Sequence, residues 1–424
     1  MESLGSKTRA RSLPALIWGL FVFVLFRCAP TGAQTIAAGR DVPDALHIVM
    51  WKHHLVGQED YYRALVDAYE KANPGHHVVI HLEDWSRAHD ELAIWIADGA
   101  GPDLTVVPDV WLVEFASGLV PYPEQMPATF LQDFNEVMLK RSRLNGRNLG
   151  LVWAASTKAL FYRKDLFEQA DLAAPTNWIE LKDAAVRLNS PPLHYGVAIP
   201  GAQRLDTTDN FYSFLWSNGG QLLSRDHRSL LDSTASIEAM TFLQDLSRKY
   251  RVTEPSPSGC DRPCAEELFA RGKAAMVETG PWLINTIAAQ SHPVSFSVVP
   301  LPARRNAITQ LVTDQLVLLK GSRRQAEALR FITFAYQPEW RLRWARLGMV
   351  PELRSVETNP FFIHDPIWQV FVSQLSDARW IPLVPWQAAD AAISATLHDV
   401  LDGRAAPAPA LRDLSTRINV LMQK

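Results

Sequence analysis

Three groups of residues in this chain have the types and spacing to do chemistry. Histidines crowd one stretch: seven of the 12 fall between positions 47 and 89, namely His47, His53, His54, His76, His77, His81 and His89. Neutral imidazoles bind zinc. Yet His77 and His81 occupy the two ends of one face of an expected strand, and no Cys or carboxylate at ligand spacing completes a set. They read as scattered surface and cleft-edge histidines. Carboxylate pairs about 5–9 Å apart hydrolyse glycosides, but no Asp or Glu pair stands at successive strand ends. Tryptophan is the third group, with 14 copies. Trp51, Trp85, Trp111, Trp153, Trp282 and Trp386 fall at expected strand ends or loop starts. Flat indoles cover the apolar faces of sugar rings, and Asp, Asn, His and Gln bond the hydroxyl edges. The chemistry indicated is recognition rather than turnover.

Motifs for covalent chemistry are missing from the sequence. It has no G-x-S-x-G elbow, no H-E-x-x-H, no Walker loop and no G-x-G-x-x-G after a strand. No catalytic residue, metal or cofactor is expected. Cys260 and Cys264, in SGCDRPCAEELF, are expected to form a disulfide that staples a surface loop.

These residues need elements to hold them. Residues 46–51 read as a strand, 59–72 as a helix stopped by Asn73-Pro74-Gly75, 77–82 as a strand, 86–99 as a helix and 103–107 as a strand, with Asp109 capping a short helix after it. A second alternating run starts near residue 157. KALFY is a strand, and NWIELKDAAVRLN a helix capped by Asn177 with Glu180 reaching back. YGVAIP is a strand, 210–218 a helix ended by Gly219-Gly220, and 234–250 a long amphipathic helix. KAAMVE and VSFSVVP are strands, and the last third is mostly helical, at 323–336, 338–347, 386–402 and 408–422. Strand–helix alternation with short connections builds a sheet covered on both faces. In such sheets ligands bind beyond the carboxyl ends of the strands. That rule selects WKHHLVGQE, PDVW and TGPW, and stands Trp282 at the mouth of a sheet.

At the N-terminus, Lys7, Arg9 and Arg11 precede an apolar run of 14 residues, LPALIWGLFVFVLF, and then RCAPTGAQ. A run this short falls below the ~20 residues that span a bilayer, and Thr31 and Ala33 fit a signal-peptide cleavage site. Residues 1–33 are expected to be removed. Arg27 stands where a lipobox before Cys28 needs a small residue, so a lipid anchor is the lesser alternative. Removal takes away Lys7, Arg9, Arg11 and Arg27 but only Glu2, leaving 38 basic against 44 acidic residues, near −6. An acidic mature chain argues against a nucleic-acid partner.

Several segments, taken in order, resemble a known family. GAGPDLTVVPDVWLVEFASGLV, FYRKDLFEQADLAAPTNWIELKDAAVRL, FLWSNGGQLL, FARGKAAMVETGPW, FSVVPLP and the closing RWIPLVPW…LDGRAA are similar to the extracellular solute-binding proteins of sugar ABC transporters, the family of the maltose-binding and glycerol-phosphate-binding proteins. The resemblance covers residues 46–422 or so. It implies an α/β fold of two lobes, each a mostly parallel sheet flanked by helices, joined by a multi-segment hinge near 153–158, 300–308 and 350–356. The implied division is 44–154 and 306–352 for one lobe, 155–305 and 353–424 for the other. It implies a monomer in the periplasm that closes on a carbohydrate and delivers it to the permease subunits in the membrane. Carried over, the cleft set is His53, His54, Gln58, Trp85, Asp109, Trp111, Ser156, Asp209, Phe211, Gly280, Trp282 and Trp386, with Glu59 the alternative to Gln58. Gly280 is expected to let backbone approach the ligand.

The chain departs from the family at Val312-Thr313-Asp314-Gln315, where relatives often carry Gly-Gly-Trp. Asp314 and Gln315 would add hydroxyl-bonding groups, or else merely cap a strand. A glycerol phosphate ester or polyol is the second ligand class, for which Arg204 and Arg379 are the candidate phosphate partners. A secreted glycoside hydrolase and a zinc-binding protein are the remaining readings.

Overall fold

The computed structural model describes residues 34–37, 44–53, 55–122, 126, 128–204, 207–382, 384 and 386–423. The expected leader, Cys28 and His54 lie outside the described residues. The strands are β1 (Gln34–Ala37), β2 (Leu46–Trp51), β3 (Val78–Glu83), β4 (Leu104–Pro108), β5 (Leu119–Val120), β6 (Arg143–Leu144), β7 (Arg147–Asn148), β8 (Leu151–Thr157), β9 (Ala159–Arg163), β10 (Met276–Thr279), β11 (Phe296–Val299) and β12 (Leu311–Leu319).

One lobe is built on a sheet of order β1-β3-β2-β4-β12-β5, with β8 also paired to β12. The other holds the sheet β10-β9-β11, and β6 and β7 form a hairpin. The two-lobe α/β expectation holds, but the sheets are mixed rather than mostly parallel. β2 runs parallel to β3 and β4, whereas β12 is antiparallel to β4, β5 and β8. The cause is connectivity: β12 returns to the first sheet after a long excursion through the second. In the second sheet β9 is antiparallel to both neighbours. YGVAIP forms no strand. It makes two isolated parallel bridges, Tyr195↔Ala274 and Ala198↔Val277. Between them Val197 N–H turns away to Val252 O at 3.1 Å, which interrupts the ladder.

Side-chain alternation divides the second sheet between two cores. Phe161, Val277 and Val298 join the large cluster that runs from the first sheet through Phe371, while Leu160 and Met276 join a cluster with the helices Thr208–Ser217, Thr234–Gln244, Gln387–Leu401 and Pro407–Leu421. On the first sheet, Tyr62 and Tyr69 of the helix Gln58–Ala72 pack into the same core as Trp153, Tyr336 and Trp344. Arg341 is fully buried there. It donates to Glu352 and to Trp153 O, and lies 4.5 Å over the Trp153 ring.

Helix ends follow the local chemistry. Asn177 Oδ1 accepts from Glu180 N–H at 3.0 Å, and Glu180 reaches back to Thr176 N–H at 2.8 Å. The 234–250 helix is α-helical to Gln244 and finishes as a π-helical turn, Asp245–Lys249. Asp109 caps nothing: Pro108 holds that position, and Asp109 is engaged elsewhere. Helices at Ala128–Gln132, Glu136–Leu139, Lys164–Gln169, Arg262–Ala270 and Leu283–Ala288, and three more between 354 and 373, join the expected ones.

Candidate ligand-binding cleft

β2, β3, β4 and β8 bring their carboxyl ends to one edge of the first sheet, and β12, running the other way, brings its amino end. A cavity of about 490 Å³ opens at this edge. Its walls are Lys52 and His53 after β2, Asp84, Trp85 and Ser86 after β3, Ser156 of β8, and Val312 and Asp314 of β12. The second lobe supplies Asp209, Trp282 and the run Asp261-Arg262-Pro263, with Gln387 from the start of a late helix. Lys158, the single residue between β8 and β9, lies at the floor. The β12–β8 register shifts between Asp314 and Gln315, a bulge of the kind that re-aims side chains at a sheet rim.

The expected residues separate by position. His53, Trp85, Ser156, Asp209 and Trp282 line this cavity. Asp109, Trp111 and Trp386 line a smaller compartment of about 120 Å³ beside it. Gln58 and Phe211 line neither. Gln58 Nε2 donates to Trp51 O at 2.8 Å and its Oε1 accepts from His53 N–H at 3.1 Å, so it ties the loop that carries His53. Phe211 is fully buried in the second core. Gly280 is small for its own chain's sake. A Cβ there would lie 2.3 Å from the Trp282 ring, so the indole folds back over it rather than leaving room for a ligand.

Trp282 is held by a charged ring. Its indole N–H donates to Glu266 Oε1 at 2.6 Å, and Arg262 donates to the same oxygen at 2.8 Å. The Lys158 ammonium and the Arg262 guanidinium lie 4.7 and 4.9 Å from its ring centre. Lys158 Nζ also pairs with Asp209 Oδ2 at 2.9 Å, and Asp209 Oδ1 accepts from Gln310 at 2.9 Å. A ligand therefore meets Trp282 as part of this network rather than as a bare platform. Lys158 and Arg262 were not read from the sequence. A lone Lys ending the apolar run LVWAAST was the available signal.

The acids respond to burial. Asp314 exposes 15% of its side chain and stands 3.9 Å from His53 Nε2. Burial, and then the nearby Asp109, push its carboxyl up to about 7, with Lys158 opposing. Glu278, on β10, is raised to about 8, chiefly by burial. Asp109 is held differently: its Oδ2 accepts from Arg141 Nε and Thr313 Oγ1, each at 2.6 Å. Arg141 also donates to Ile381 O at 2.9 Å, fastening the segment before Trp386 to the first sheet.

The disulfide Cys260–Cys264 is present, but it does not staple a surface loop. Cys260 is 2% exposed, and the three residues it brackets with Cys264 all line the cavity. The histidines scatter: His47 stacks on His81, and His76, His77 and His89 meet Glu327, Glu70 and Glu114. Among the described residues no group of three or more His, Cys, Asp or Glu is placed to hold a metal ion. Arg204 lines the cavity, 3.9 Å from Asp261, whereas Arg379 lines a separate pocket beside Trp380.

Comparison with known proteins agrees with the two-lobe fold. The model of a family described as bacterial extracellular solute-binding protein matches residues 56–341. A putative binding protein of Brucella abortus is 27% identical over 372 residues, 86% of this chain and 90% of the relative. The maltotriose-binding protein of Pyrococcus abyssi is 24% identical over 83% of this chain and 78% of its own. In fold the chain is similar to maltose-bound T. maritima MalE3, with a TM-score of 0.83, 22% identity, and coverage of 89% of this chain and all of that one.

Proposed function

The chain belongs to the bacterial extracellular solute-binding protein family, and on that premise we propose that it captures a sugar or oligosaccharide between its lobes and delivers it to the permease of an ABC importer. The observation that carries the sugar reading is the composition of the cavity. Indoles from both lobes, Trp85 and Trp282, line one space with His53, Ser156, Asp209, Asp314 and Gln387. Of its cations, Lys158, Arg204 and Arg262 each have a carboxylate within 4 Å, which leaves Lys52 on the wall. A phosphate would seek an uncommitted Arg or a helix N-terminus, and the two helix N-termini at this wall already carry carboxylates, Asp261 capping Arg262–Ala270 and Asp390 in the first turn of Gln387–Leu401. A neutral polyhydroxylated ligand asks only for hydrogen bonds and apolar faces, and this cavity offers both.

Within this reading the protein binds without turnover, as a monomer in the periplasm, with residues 1–33 removed on export. One lobe comprises 44–154 and 306–352 and the other 155–305 and 353–424, with the first crossing at Lys158. Closure presses the lobes together across Trp111 and Gln387, whose side chains already meet at 3.2 Å.

A thermal-shift screen of residues 34–424 tests the proposal against mono- and disaccharides, polyols, glycerol phosphates and zinc. A ligand at about 1,000 times its Kd adds ~4 kcal/mol to the folded state, a rise of several degrees. A rise with a sugar is the expected result. A rise with a glycerol phosphate alone would keep the transport role and replace the ligand, and a rise with zinc alone would overturn both.

A further inference from the structure

The cleft has two chambers. The compartment of about 120 Å³ shares Trp85, Asp209, Val312, Asp314 and Gln387 with the main cavity, so one ligand can occupy both. Its own apolar walls are Val110, Trp111, Leu311, Ile381 and Trp386. Most of its polar side chains are engaged with protein partners, Asp314 at the boundary with the main cavity being the exception. Asp109 Oδ2 takes Arg141 and Thr313. Asp390 Oδ1 takes Thr208 at 2.8 Å and Tyr212 at 2.5 Å. Gln387 Oε1 takes the Trp111 indole N–H at 3.2 Å, and Gln310 Nε2 goes to Asp209. Gln310 Oε1 is one buried acceptor without a partner among the described residues.

A fully hydroxylated ring entering this space would lose water from all its hydroxyls and meet mostly apolar wall, with only a few acceptors such as Gln310 Oε1 and Asp314 to bond in exchange. An apolar group meets the same walls with a gain that grows with each carbon buried. Resting on the reading that the main cavity binds a sugar, we propose that the side compartment takes a short apolar substituent of that sugar. The ligand is then a glycoside with a small aliphatic group rather than a bare polyol. The size sets the limit: a cavity of about 150 Å³ holds benzene, so a compartment of about 120 Å³ admits a few carbons.

Isothermal titration of the mature chain with glucose, galactose and xylose, each beside its methyl and n-propyl glycosides in both anomers, and with maltose, tests this. Each buried carbon adds about fourfold in affinity. For a sugar that binds, one propyl glycoside should bind at least tenfold tighter than the free sugar. Val110→Phe, which fills the compartment alone, should abolish that gain and leave the free sugar's affinity in place. Free sugars that bind with no gain from either alkyl group would overturn the inference and leave the sugar reading standing. So would a gain for maltose without one for the propyl glycosides, since the compartment would then be taking a second ring. If neither sugars nor glycosides bind, the sugar reading falls and this inference falls with it. The wild-type comparison decides the matter even if the Phe variant fails to fold.

Discussion

Trp282 and Asp314 show how single residues set what the cleft can do. Removing the indole by Trp282→Ala strips the cavity of its largest second-lobe side chain and leaves Glu266 without that donor. Affinity for the bound sugar should fall on the order of tenfold or more, read by calorimetry. Asp314 works through its charge. Its carboxyl is raised to about 7 in the fold, against about 4 in an unfolded chain. The neutral form is favoured by folding, so the cost of charging it is absent below about pH 4, grows between pH 4 and 7, and is fully present above. Asp314→Asn should therefore stabilise the protein by on the order of 1–2 kcal/mol at pH 8 and leave it unchanged at pH 4. Urea unfolding at the two pH values checks this, and an equal effect at both would contradict it. Tryptophans at strand ends were legible because a strand end is fixed by local sequence. Gln58 and Phe211 show the limit: whether a polar or aromatic side chain near a cleft faces the ligand or its own loop depends on rotamer and packing, which spacing does not encode.

Two elements carry disproportionate weight. The helix Pro338–Ala345 buries Arg341 against Glu352 and the Trp153 carbonyl. Arg341→Met leaves Glu352, itself 1% exposed, without its cation, which should cost about 3–5 kcal/mol of stability. Chemical denaturation measures it. The segment bracketed by Cys260 and Cys264 forms cavity wall, and its closed loop is small, with a sequence separation of 4. Loop-closure stabilisation is least for short loops, so reduction should lower ligand affinity while shifting the melting temperature little. A large loss of stability with unchanged affinity would assign the disulfide to the fold instead. Most helices were legible from apolar spacing, caps and Gly-Gly stops. The helices Pro360–Ile363 and Pro366–Ser373 were missed although Asn359 and Asp365 cap them in front of Pro. Each is too short to display a periodic face. YGVAIP failed for the opposite reason: its pattern is strand-like, but its N–H groups divide between two partners.

At the scale of the molecule, the order of strands could not be read from the sequence, because β12 joins the first sheet only after the chain has crossed to the second lobe and returned. The consequence is functional. β12 brings Asp314 to a rim otherwise made by β2, β3, β4 and β8, and it supplies apolar walls to both chambers. Arg141, reaching from the β4 side to Ile381 O, ties the first sheet to the segment before Trp386 near the same place. Arg141→Met should loosen that tie and leave Asp109 without its cation, giving a larger radius of gyration in small-angle scattering and weaker ligand binding. An unchanged radius with unchanged affinity would show that Arg141 does not hold the cleft together. The most direct measurement is calorimetry of residues 34–424 with the sugar that raises the melting temperature most, run beside the double variant Trp85→Ala/Trp282→Ala after circular dichroism has checked its fold. One saturable site is expected in the wild type, and its loss in the folded variant. Equal affinity in the two proteins would place the ligand somewhere other than this cleft.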